Sequence, residues 1–580
     1  MRRSLGLLLA ALAAVGMVVA PPGGPRSALA ADYELGSVAR YEVRVDAGEI
    51  GVQVRLEFTN TTPDPAGQFS VFEELKLAIH DQAERVAARD DAGALEVAVA
   101  VEEGVNVATV TLREDLRYEE TVALDLTYVL PDTDSPQLRV RPTLIVFPAW
   151  AFGTAGEVEV AIPPGYEVRV DGDPLTEEGG TLVSGPIDDP SAWLALVTAV
   201  RQPSFSDYDA VVPLAGGTAD VLVRAFSDDA GWGERTRDLV VDALPLIEES
   251  LGLPYPRIGP LVLTEAVATD GSGFGEESTG GTEIMVAFDQ PAFTALHQVA
   301  HIWLSPALVE SRWLREGLAS AVAADVATEL GLDLPYAPAE RAAERADAAI
   351  PLDTWSAGAD AATDTFGYAA SWAFLDELEE LVGPDAMRAV LARTAASISP
   401  YQSASVDPAI PADGVTAPTV PLDTRSFLDH LETVSGQPLA DRFAETVLTE
   451  ADAALLPARA EARTSFDALV AAAGPWGAPD PVRARMTAWD FAEAQVRIDE
   501  AAEWLEARDA LIDELEAVRL PAPDRLQQAY RAYGGGAEAY DELEAERAVV
   551  RAYAAAADGV NAERSVIERI GLIGGPDPTA

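Results

Sequence analysis

A period-two alternation of apolar and polar residues runs from Tyr41 to about Arg201 and restricts what the first third of this chain can fold into. Segments such as YEVRVD, VQVRLEF and VALDLTYV alternate, and turn signals such as DAGE and PDTDSP separate them. Successive side chains of a β-strand point to opposite faces of a sheet, so each segment presents one apolar face to a core. The pattern predicts an antiparallel β domain built from many strands.

Beyond this region the pattern changes to strands that are interleaved with helices. The segments ADVLVRAF, GPLVLTEAV and TEIMVAF predict strands. Helical spacing predicts the helices 233–251, 291–304, 312–330, 366–382, 386–396 and 426–434, then one helix or two over 488–518 and another over 537–558. The expected fold class is multidomain α and β, with an antiparallel β domain over 31–205, a mixed α/β unit over 206–448 and an all-α C-terminal region over 449–580.

The first thirty residues predict an export signal. Arg2 and Arg3 precede an apolar run from Leu5 to Ala20, and the small-residue site Ala28-Leu29-Ala30 follows. This order is typical of a secretory signal peptide that is cut after Ala30. The alternative is an uncleaved membrane anchor, although the run is shorter than the roughly 20 residues that a span needs. We therefore expect an exported protein, extracellular or at the cell surface or periplasm, with no transmembrane segment in the mature chain.

Charge and cysteine content exclude several classes of partner. The chain has 96 acidic and 40 basic side chains, which give a formal net charge of −56. Nucleic acid and anionic membranes require a basic face, so neither is expected as a partner. The sequence contains no cysteine, so no disulfide can stabilise the chain outside the cell. Stability must come from apolar cores and from any bound metal.

Two of the four histidines, His297 and His301, are four residues apart. On a helix this spacing places both imidazoles on one face. Pro291 marks a helix start upstream and Pro306 an end downstream, so the pair lies on a predicted helix. The next predicted helix carries Glu316 in its first turns. Two imidazoles and one carboxylate leave one position of a tetrahedral zinc ion open, which is the arrangement of a catalytic rather than a structural zinc site.

The stretch HQVAHIW, followed by WLREGLAS, resembles the gluzincin metallopeptidases, especially the membrane alanyl aminopeptidase family and its bacterial relatives. Their pattern is His-Glu-x-x-His-x-Trp, then Trp-Leu-x-Glu-Gly-Phe-Ala on the following helix. The resemblance covers Tyr41 to Leu448 and is most specific from Gly271 to Ala321. It implies a thermolysin-like α/β domain over 206–448, peptide-bond hydrolysis as the reaction class, and a peptide or protein N-terminus as substrate or ligand.

Matched position by position, the resemblance implies that His297, His301 and Glu316 are the ligands of one Zn²⁺ per chain. Trp303 matches the tryptophan that follows the second histidine of the family pattern. The interval between His301 and Glu316 is shorter than in the aminopeptidases, which implies a trimmed connection between the two helices.

Two further parts of the family's site have counterparts in this chain. GFGEEST, with Gly275, Glu276 and Glu277, occupies the place of the Gly-x-Met-Glu-Asn loop, whose glutamate holds the free amino group of the substrate. Tyr368 in FGYAASWAFLDEL matches the tyrosine that stabilises the tetrahedral intermediate. The loop lacks the methionine and the asparagine of the family, which weakens the inference of exopeptidase specificity. Tyr368 also fits a core-facing aromatic on an amphipathic helix.

The largest departure from the family is Gln298, which stands where the pattern has its catalytic glutamate. That glutamate accepts a proton from water and passes it to the leaving amine. A glutamine has nearly the same shape and can hydrogen-bond a water molecule, but it cannot accept the proton. General-base assistance contributes typically 10²–10⁴ in rate, so we expect strongly impaired hydrolysis.

Three interpretations remain open. The chain is an enzyme with a substitute base, for which Glu276, Glu277 and Glu310 are the candidates nearby in sequence. Alternatively, it is a non-catalytic peptide-binding or scaffolding protein that retains the zinc-site fold. In the third interpretation His297 and His301 are ordinary helix residues that hold no metal. Metal analysis separates the third interpretation from the others, and a peptidase assay separates the first two.

We predict that the exported chain begins at Ala31, because signal peptidase cuts after a small-residue site that follows an apolar run. Mass spectrometry of the exported material should give the mass of the chain from Ala31 onward. Recovery of the intact Arg2-Arg3 end would instead indicate a membrane anchor.

Overall fold

The computed structural model describes residues 32–64, 69–102, 104–256, 259–267, 283–402, 408, 418 and 420–569, with the backbone alone at 17–20, 276–277 and 568. The predicted signal peptide therefore lies outside the described residues, apart from the backbone of 17–20. Among the described residues, no helix combines the length and the apolar character needed to cross a membrane.

The N-terminal region is rich in β-structure, as the alternation predicts. Its strands are β1 (Met17–Ala20), β2 (Tyr33–Arg44), β3 (Glu49–Asn60), β4 (Phe69–Ile79), β5 (Glu84–Asp90), β6 (Gly93–Leu95), β7 (Val97–Glu102), β8 (Val105–Arg117), β9 (Thr121–Pro131), β10 (Arg139–Val140), β11 (Leu144–Trp150), β12 (Ala155–Ala161), β13 (Glu167–Gly172), β14 (Thr176–Glu178), β15 (Thr181–Val183) and β16 (Leu194–Val200). Buried and exposed positions alternate along most of β2 and β3, because only one face of each strand packs on the core.

The described strands of this region form three sheets. The largest has the order β14-β15-β12-β2-β3-β9-β5-β6, and two smaller sheets have the orders β1-β4-β8-β7 and β10-β11-β16-β13. Their apolar faces share one core, which extends from Leu35 to Ala199. One pairing departs from the antiparallel expectation, since β2 and β12 run parallel. The chain passes through β10 and β11 of another sheet before β12, and such a crossover permits parallel pairing.

The second region combines a small sheet with many helices. Its strands are β17 (Phe205–Leu214), β18 (Gly217–Phe226), β19 (Leu261–Ala266), β20 (Glu276–Glu277) and β21 (Glu283–Ala287). Its helices are α1 (Ala230–Leu251), α2 (Ala292–Ala300), α3 (Arg312–Glu329), α4 (Pro338–Ala343), α5 (Ala361–Val382), α6 (Pro384–Ala395), α7 (Thr424–Ser435), α8 (Ala440–Thr446), α9 (Glu450–Ala453), α10 (Leu456–Ala473), α11 (Asp480–Thr487), α12 (Phe491–Ala517), α13 (Asp524–Tyr533) and α14 (Ala537–Arg569).

The sheet of the second region is mixed, with the order β17-β18-β19-β21-β20. Its central strands β18, β19 and β21 run parallel, and an antiparallel strand flanks them on each side. Helix α1 connects β18 to β19, as a crossover between parallel strands requires. β21 is the last strand of this sheet along the chain, and α2 begins five residues after it, so the sheet positions the start of the helix that carries His297.

One apolar core extends through the second region from Val212 to Val550. Apolar packing therefore continues across residue 448, and the helices of the C-terminal region bury side chains in the same core as the mixed sheet. The division of the chain into units at 205 and 448 stays a prediction. The stretch 488–518, predicted as one helix or two, contains the single helix α12.

A buried charge network joins the two regions. Arg139 of β10 is 2% exposed and forms an ion pair with Asp229, which caps α1, while its Nη1 lies 3.3 Å from Glu265 Oε1 at the end of β19. Arg141 adds a contact of 2.6 Å between its Nη1 and Asp229 Oδ1. Burial raises the pKa of Glu265 to about 8, helped by the negative charge of Asp229 and opposed by Arg139. At neutral pH Glu265 is therefore mostly protonated, and Asp229 carries the negative charge that faces the arginines.

We predict that Glu265→Gln gains stability over the wild type as pH rises. Glu265 has a raised pKa in the folded state, so its contribution to stability is fully present below about pH 4.5 and is lost as pH rises towards 8. Glutamine does not titrate, so the difference in unfolding free energy should grow by up to about 1.4 kcal/mol per pH unit in this range. Urea unfolding at pH 5 to 9 measures it.

The variant Glu344→Gln is a matched control, because it removes a carboxylate from an exposed ion pair with Arg341. A difference between Glu265→Gln and the wild type that stays constant with pH would show that Glu265 is ionised throughout this range.

Candidate metal centre

Helix α2 is shorter than the sequence pattern predicts. It begins after Pro291 and ends at Ala300, where the expected helix continued to Leu304. His301 follows as the C-cap residue with helical dihedral angles, φ −62° and ψ −16°. Its backbone N–H still bonds to the carbonyl of His297, at 3.3 Å. The residues that follow form tighter turns, and both imidazoles stay on one face because the helical geometry persists through His301.

Close packing of α3 against α5 brings further side chains to this face. Gly317 of α3 lies against α5, and a Cβ built on it would be 2.9 Å from the carbonyl oxygen of Ser371 and 2.7 Å from Leu375 Cδ1. Any larger residue would force the two helices apart. The glycine beside Glu316 therefore permits the approach that places Tyr368 of α5 near the histidines.

Three potential ligand atoms converge in the buried interior. His297 Nε2 and His301 Nε2 are 3.1 Å apart, and Glu316 Oε2 lies 3.3 Å from His297 Nε2 and 3.1 Å from His301 Nε2. The exposed fractions of the three residues are 0%, 7% and 9%. These residues form a group that could hold a metal ion.

The spacing of these atoms fits a tetrahedral zinc ion. Zinc binds imidazole nitrogen and carboxylate oxygen at about 2.0–2.2 Å, and two ligands at tetrahedral positions are then about 3.3–3.6 Å apart. The three distances between ligand atoms, 3.1, 3.1 and 3.3 Å, come within a few tenths of an ångström of this range. Two nitrogens and one oxygen are also a donor set that zinc prefers.

The protonation states suit a cation. Burial lowers the pKa of His297 to about 4, so its imidazole is neutral at pH 7 and can offer a lone pair. Burial alone would raise the pKa of Glu316, but the adjacent His301 and His297 hold it well below its usual range, so the carboxylate is ionised. A buried carboxylate requires a positive partner. Arg315 supplies part of that charge, with its Nη2 3.5 Å from Glu316 Oε1.

Ser320 of α3 orients one of the histidines. Its Oγ is 3.2 Å from His297 Nδ1, and the hydroxyl is buried. When Nε2 is the ligand atom, Nδ1 carries the proton and donates it to this oxygen. Such an outer contact fixes the tautomer and the orientation of the ring.

Gln298 and Tyr368 both lie in the buried surroundings of the group. Gln298 follows His297 on α2 and is 5% exposed. The ring of Tyr368 is 6.5 Å from that of His297, with the planes at 69°. Burial, together with the charge of Glu316, raises the pKa of Tyr368 to about 12, although Arg312 opposes the shift. The phenol is therefore protonated at neutral pH and can act as a donor but not as a base.

Both tryptophans of the motif have structural contacts. Trp303 donates its indole N–H to the carbonyl of Leu253, at 3.0 Å, and packs edge-on against Tyr255, which ties the turn after α2 to the end of α1. Trp313 donates to Thr424 Oγ1, at 2.8 Å, and ties α3 to the start of α7. The two side chains fix the ends of the connection between the histidines and Glu316.

The proposed substrate loop is only partly described. Gly275 lies outside the described residues. Glu276 and Glu277 form β20, which pairs antiparallel with β21 at the edge of the sheet, and their side chains also lie outside the description. Glu310, considered as a substitute base, is exposed, unlike the buried metal-binding group.

The other two histidines are placed elsewhere among the described residues. His80 is buried in the N-terminal core, where its ring nitrogens contact Tyr128 Oη and the carbonyl oxygen of Pro148, each at 2.9 Å. His430 is buried on α7. Neither belongs to the group that could hold a metal.

Sequence reasoning missed the polar residues that surround the group. Ser320 and Arg315 contact its members, and Arg312 contacts Tyr368. The spacing held a signal, since Arg312, Glu316 and Ser320 are each four residues apart and so share a face of α3.

Comparison with known proteins gives matches among solved structures only. No protein-family model and no curated protein matches the chain. An M1 zinc metallopeptidase from Deinococcus radiodurans is 18% identical, with 73% of this chain and 92% of that chain covered and a TM-score of 0.28. A mutant of an M1 zinc metallopeptidase from Deinococcus radiodurans, bound to a Tyr-Ser-Ala substrate, is 20% identical, with 70% and 92% covered and a TM-score of 0.29.

A two-domain M1 zinc metallopeptidase mutant bound to L-arginine is 18% identical, with 73% of this chain and 91% of that chain covered and a TM-score of 0.30. Likeness at this level does not establish a function. A function for this chain has to be argued from its own residues.

We predict that the purified chain, dialysed against zinc and then against metal-free buffer, retains one zinc per chain. His301→Ala should retain almost none, because two protein ligands form too weak a site. Elemental analysis measures both. His430→Gln, which changes a buried histidine outside the group, is the control and should retain the metal. A wild-type chain without zinc would contradict the assignment of the ligands.

Proposed function

We propose that this chain is an exported protein of the gluzincin metallopeptidase type that binds one Zn²⁺ through His297, His301 and Glu316 and has lost most of its capacity for peptide-bond hydrolysis. The observation that carries the proposal is the convergence of two imidazole nitrogens and one carboxylate oxygen, all on buried residues, at distances close to those of tetrahedral zinc. Under this proposal the unit 206–448 is a thermolysin-like domain, and the substrate class is peptides.

A bound zinc ion would polarise a substrate carbonyl and lower the pKa of water. Proton transfer, in contrast, depends on the chain's own residues. Gln298 can hold a water molecule through its amide oxygen, but this oxygen does not take up a proton at neutral pH. The leaving nitrogen of a peptide departs poorly unless it is protonated, so both proton-transfer steps lose their carrier.

Among the described side chains, Glu316, Tyr368 and Glu310 do not replace the missing base. Glu316 is the carboxylate of the group and faces both imidazoles, so its charge is committed to them. Tyr368 is protonated at neutral pH. Glu310 is exposed. Weak turnover is therefore the expected property of the wild-type chain.

Tyr368 supports binding of a tetrahedral species in this pocket. Its ring lies beside His297, and its phenol is a donor at neutral pH. A donor that faces the developing oxyanion stabilises the transition state more than the substrate. The loop with Glu276 and Glu277 would hold the amino group of the peptide, which would make the specificity that of an aminopeptidase.

The alternative proposal is a non-catalytic peptide-binding or scaffolding protein with the same metal centre. The burial of Gln298 supports this alternative as well as the first proposal, because a glutamine there keeps the volume of a glutamate without its capacity to accept a proton. The export predicted from the first thirty residues places either function outside the cytoplasm, extracellular or at the cell surface or periplasm.

We predict that Gln298→Glu increases peptide hydrolysis by the zinc-loaded chain by about 10² or more, because it restores a proton carrier with almost no change in shape. A panel of aminoacyl and peptide substrates measures the rate constants. Gln298→Asn, which changes the side-chain length without adding a base, is the control and should give no gain.

A zinc-loaded Gln298→Glu chain that shows no gain would favour the binding function. High activity of the wild type, unchanged or reduced in Gln298→Glu, would contradict the impairment and would indicate another base.

A further inference from the structure

We propose that Arg312 positions the Tyr368 hydroxyl so that its proton is directed to the oxyanion of a tetrahedral peptide adduct at the metal centre. The inference rests on the proposed function and deepens it, since it assigns a role to a residue outside the motif. Arg312 acts through Tyr368 and is a positioning residue rather than a catalytic one.

The side chains of Arg312 and Tyr368 are in contact. Arg312 is the first residue of α3, one helical turn before Glu316, and its Nη2 lies 3.4 Å from Tyr368 Oη. The same phenol ring lies beside His297. The Tyr368 side chain thus contacts the guanidinium of Arg312 and lies beside one member of the metal-binding group.

The direction of the hydrogen bond between Arg312 and Tyr368 follows from the chemistry of arginine. A guanidinium only donates, so the Tyr368 oxygen accepts from Arg312. The hydroxyl has one proton, and this proton must be directed to an acceptor other than Arg312. A substrate oxyanion on the side of His297 would be such an acceptor. The positive charge behind the phenol oxygen also strengthens the hydroxyl as a donor.

Arg312 is itself held in place by its neighbours. Its guanidinium lies 3.9 Å above the ring of Trp355, and its Nη1 donates to Asp364 Oδ1 at 3.1 Å and to the carbonyl of Ser356 at 2.6 Å. Asp364 also accepts from the indole N–H of Trp355, at 2.8 Å. The arginine has little freedom to turn away from Tyr368, as a preorganised group requires.

The packing of α5 supports the same arrangement. A Cβ built on Gly367, next to Tyr368, would lie 2.4 Å from the ring of Trp355. The glycine therefore allows Trp355 to lie close against α5, where it contacts both the Tyr368 ring and the guanidinium. The negative charge of Asp364 offsets the positive charge of Arg312, which reduces the repulsion between the guanidinium and a cation bound at the nearby metal centre.

A double-mutant cycle on the zinc-loaded full chain tests the inference through binding rather than turnover. The probe is a phosphinic peptide, in which a tetrahedral phosphinate replaces the scissile amide, and calorimetry measures its dissociation constant. The cycle compares wild type, Arg312→Gln, Tyr368→Phe and the double variant. Arg341→Gln, which removes an arginine from an exposed ion pair, is the matched control. Zinc content and the unfolding temperature are measured for every chain.

Arg312→Gln should weaken phosphinate binding roughly tenfold, because a charge-assisted donor network is lost. The unmodified peptide of the same sequence should change by less than about twofold, because its planar carbonyl carries no oxyanion. In the Tyr368→Phe background, Arg312→Gln should add less than about twofold, since the two residues act as one unit.

Several results would overturn the inference. If Arg312→Gln weakens phosphinate binding equally with Tyr368 and with Phe at position 368, Arg312 contacts the ligand directly. If Arg312→Gln does not weaken binding in the chain that retains Tyr368, Arg312 has no role in binding. A zinc-loaded wild type that binds no phosphinate would overturn this inference together with the proposed function, whereas a chain without zinc would identify the metal assignment as the failure.

If Arg312→Gln does not fold, Arg312→Lys replaces it in the cycle, because lysine keeps the charge but loses the planar fork. Coupling above about twofold between Arg312→Lys and Tyr368→Phe then supports the inference, and its absence overturns it.

Discussion

The contact of one carboxylate oxygen with two imidazole nitrogens is the interaction on which the rest of this site depends. Glu316 Oε2 lies within 3.3 Å of both Nε2 atoms in the buried interior. A buried negative charge is costly unless a positive partner neutralises it, and the adjacent His301 and His297 hold the pKa of Glu316 well below its usual range. A divalent cation held by all three atoms would stabilise the same ionised carboxylate. Arg315 adds positive charge at the other oxygen, from 3.5 Å.

The surrounding fold holds the helices α2, α3 and α5 close enough together for the residues of this site to meet. Gly317 allows α3 to approach α5 within backbone contact, and Trp303 and Trp313 fix the ends of the connection between the ligands. The network around Arg139 joins the sheet of the second region to the N-terminal β region and shields its charges from water. Rigid support of this kind is what a preorganised metal centre needs, since displacements of an ångström weaken both ligand binding and catalysis.

Under the proposed function, metal binding and turnover depend on different residues in this chain. His297, His301 and Glu316 would supply the donor atoms, whereas proton transfer would depend on residue 298. An amide has nearly the volume of the glutamate in the family pattern that the motif resembles, so under this proposal the metal-binding group can persist without a proton acceptor at position 298. Arg312 contacts the Tyr368 hydroxyl, and the Tyr368 ring lies beside His297, which is the arrangement on which the proposed recognition of an oxyanion rests. Binding of a tetrahedral ligand and hydrolysis of a peptide can therefore be separated by experiment.

The features with a local period could be predicted from the amino-acid order alone. Alternation predicted the β-rich N-terminal region, and the four-residue spacing of His297 and His301 put both imidazoles on one helix face. Which distant residues meet could be seen only in the folded chain. The β2–β12 pair is parallel, α2 stops at Ala300, and Arg312 contacts Tyr368 across 56 residues. Local periodicity reports the face on which a side chain lies, whereas a contact between elements depends on how the whole chain packs, and no short-range pattern records that.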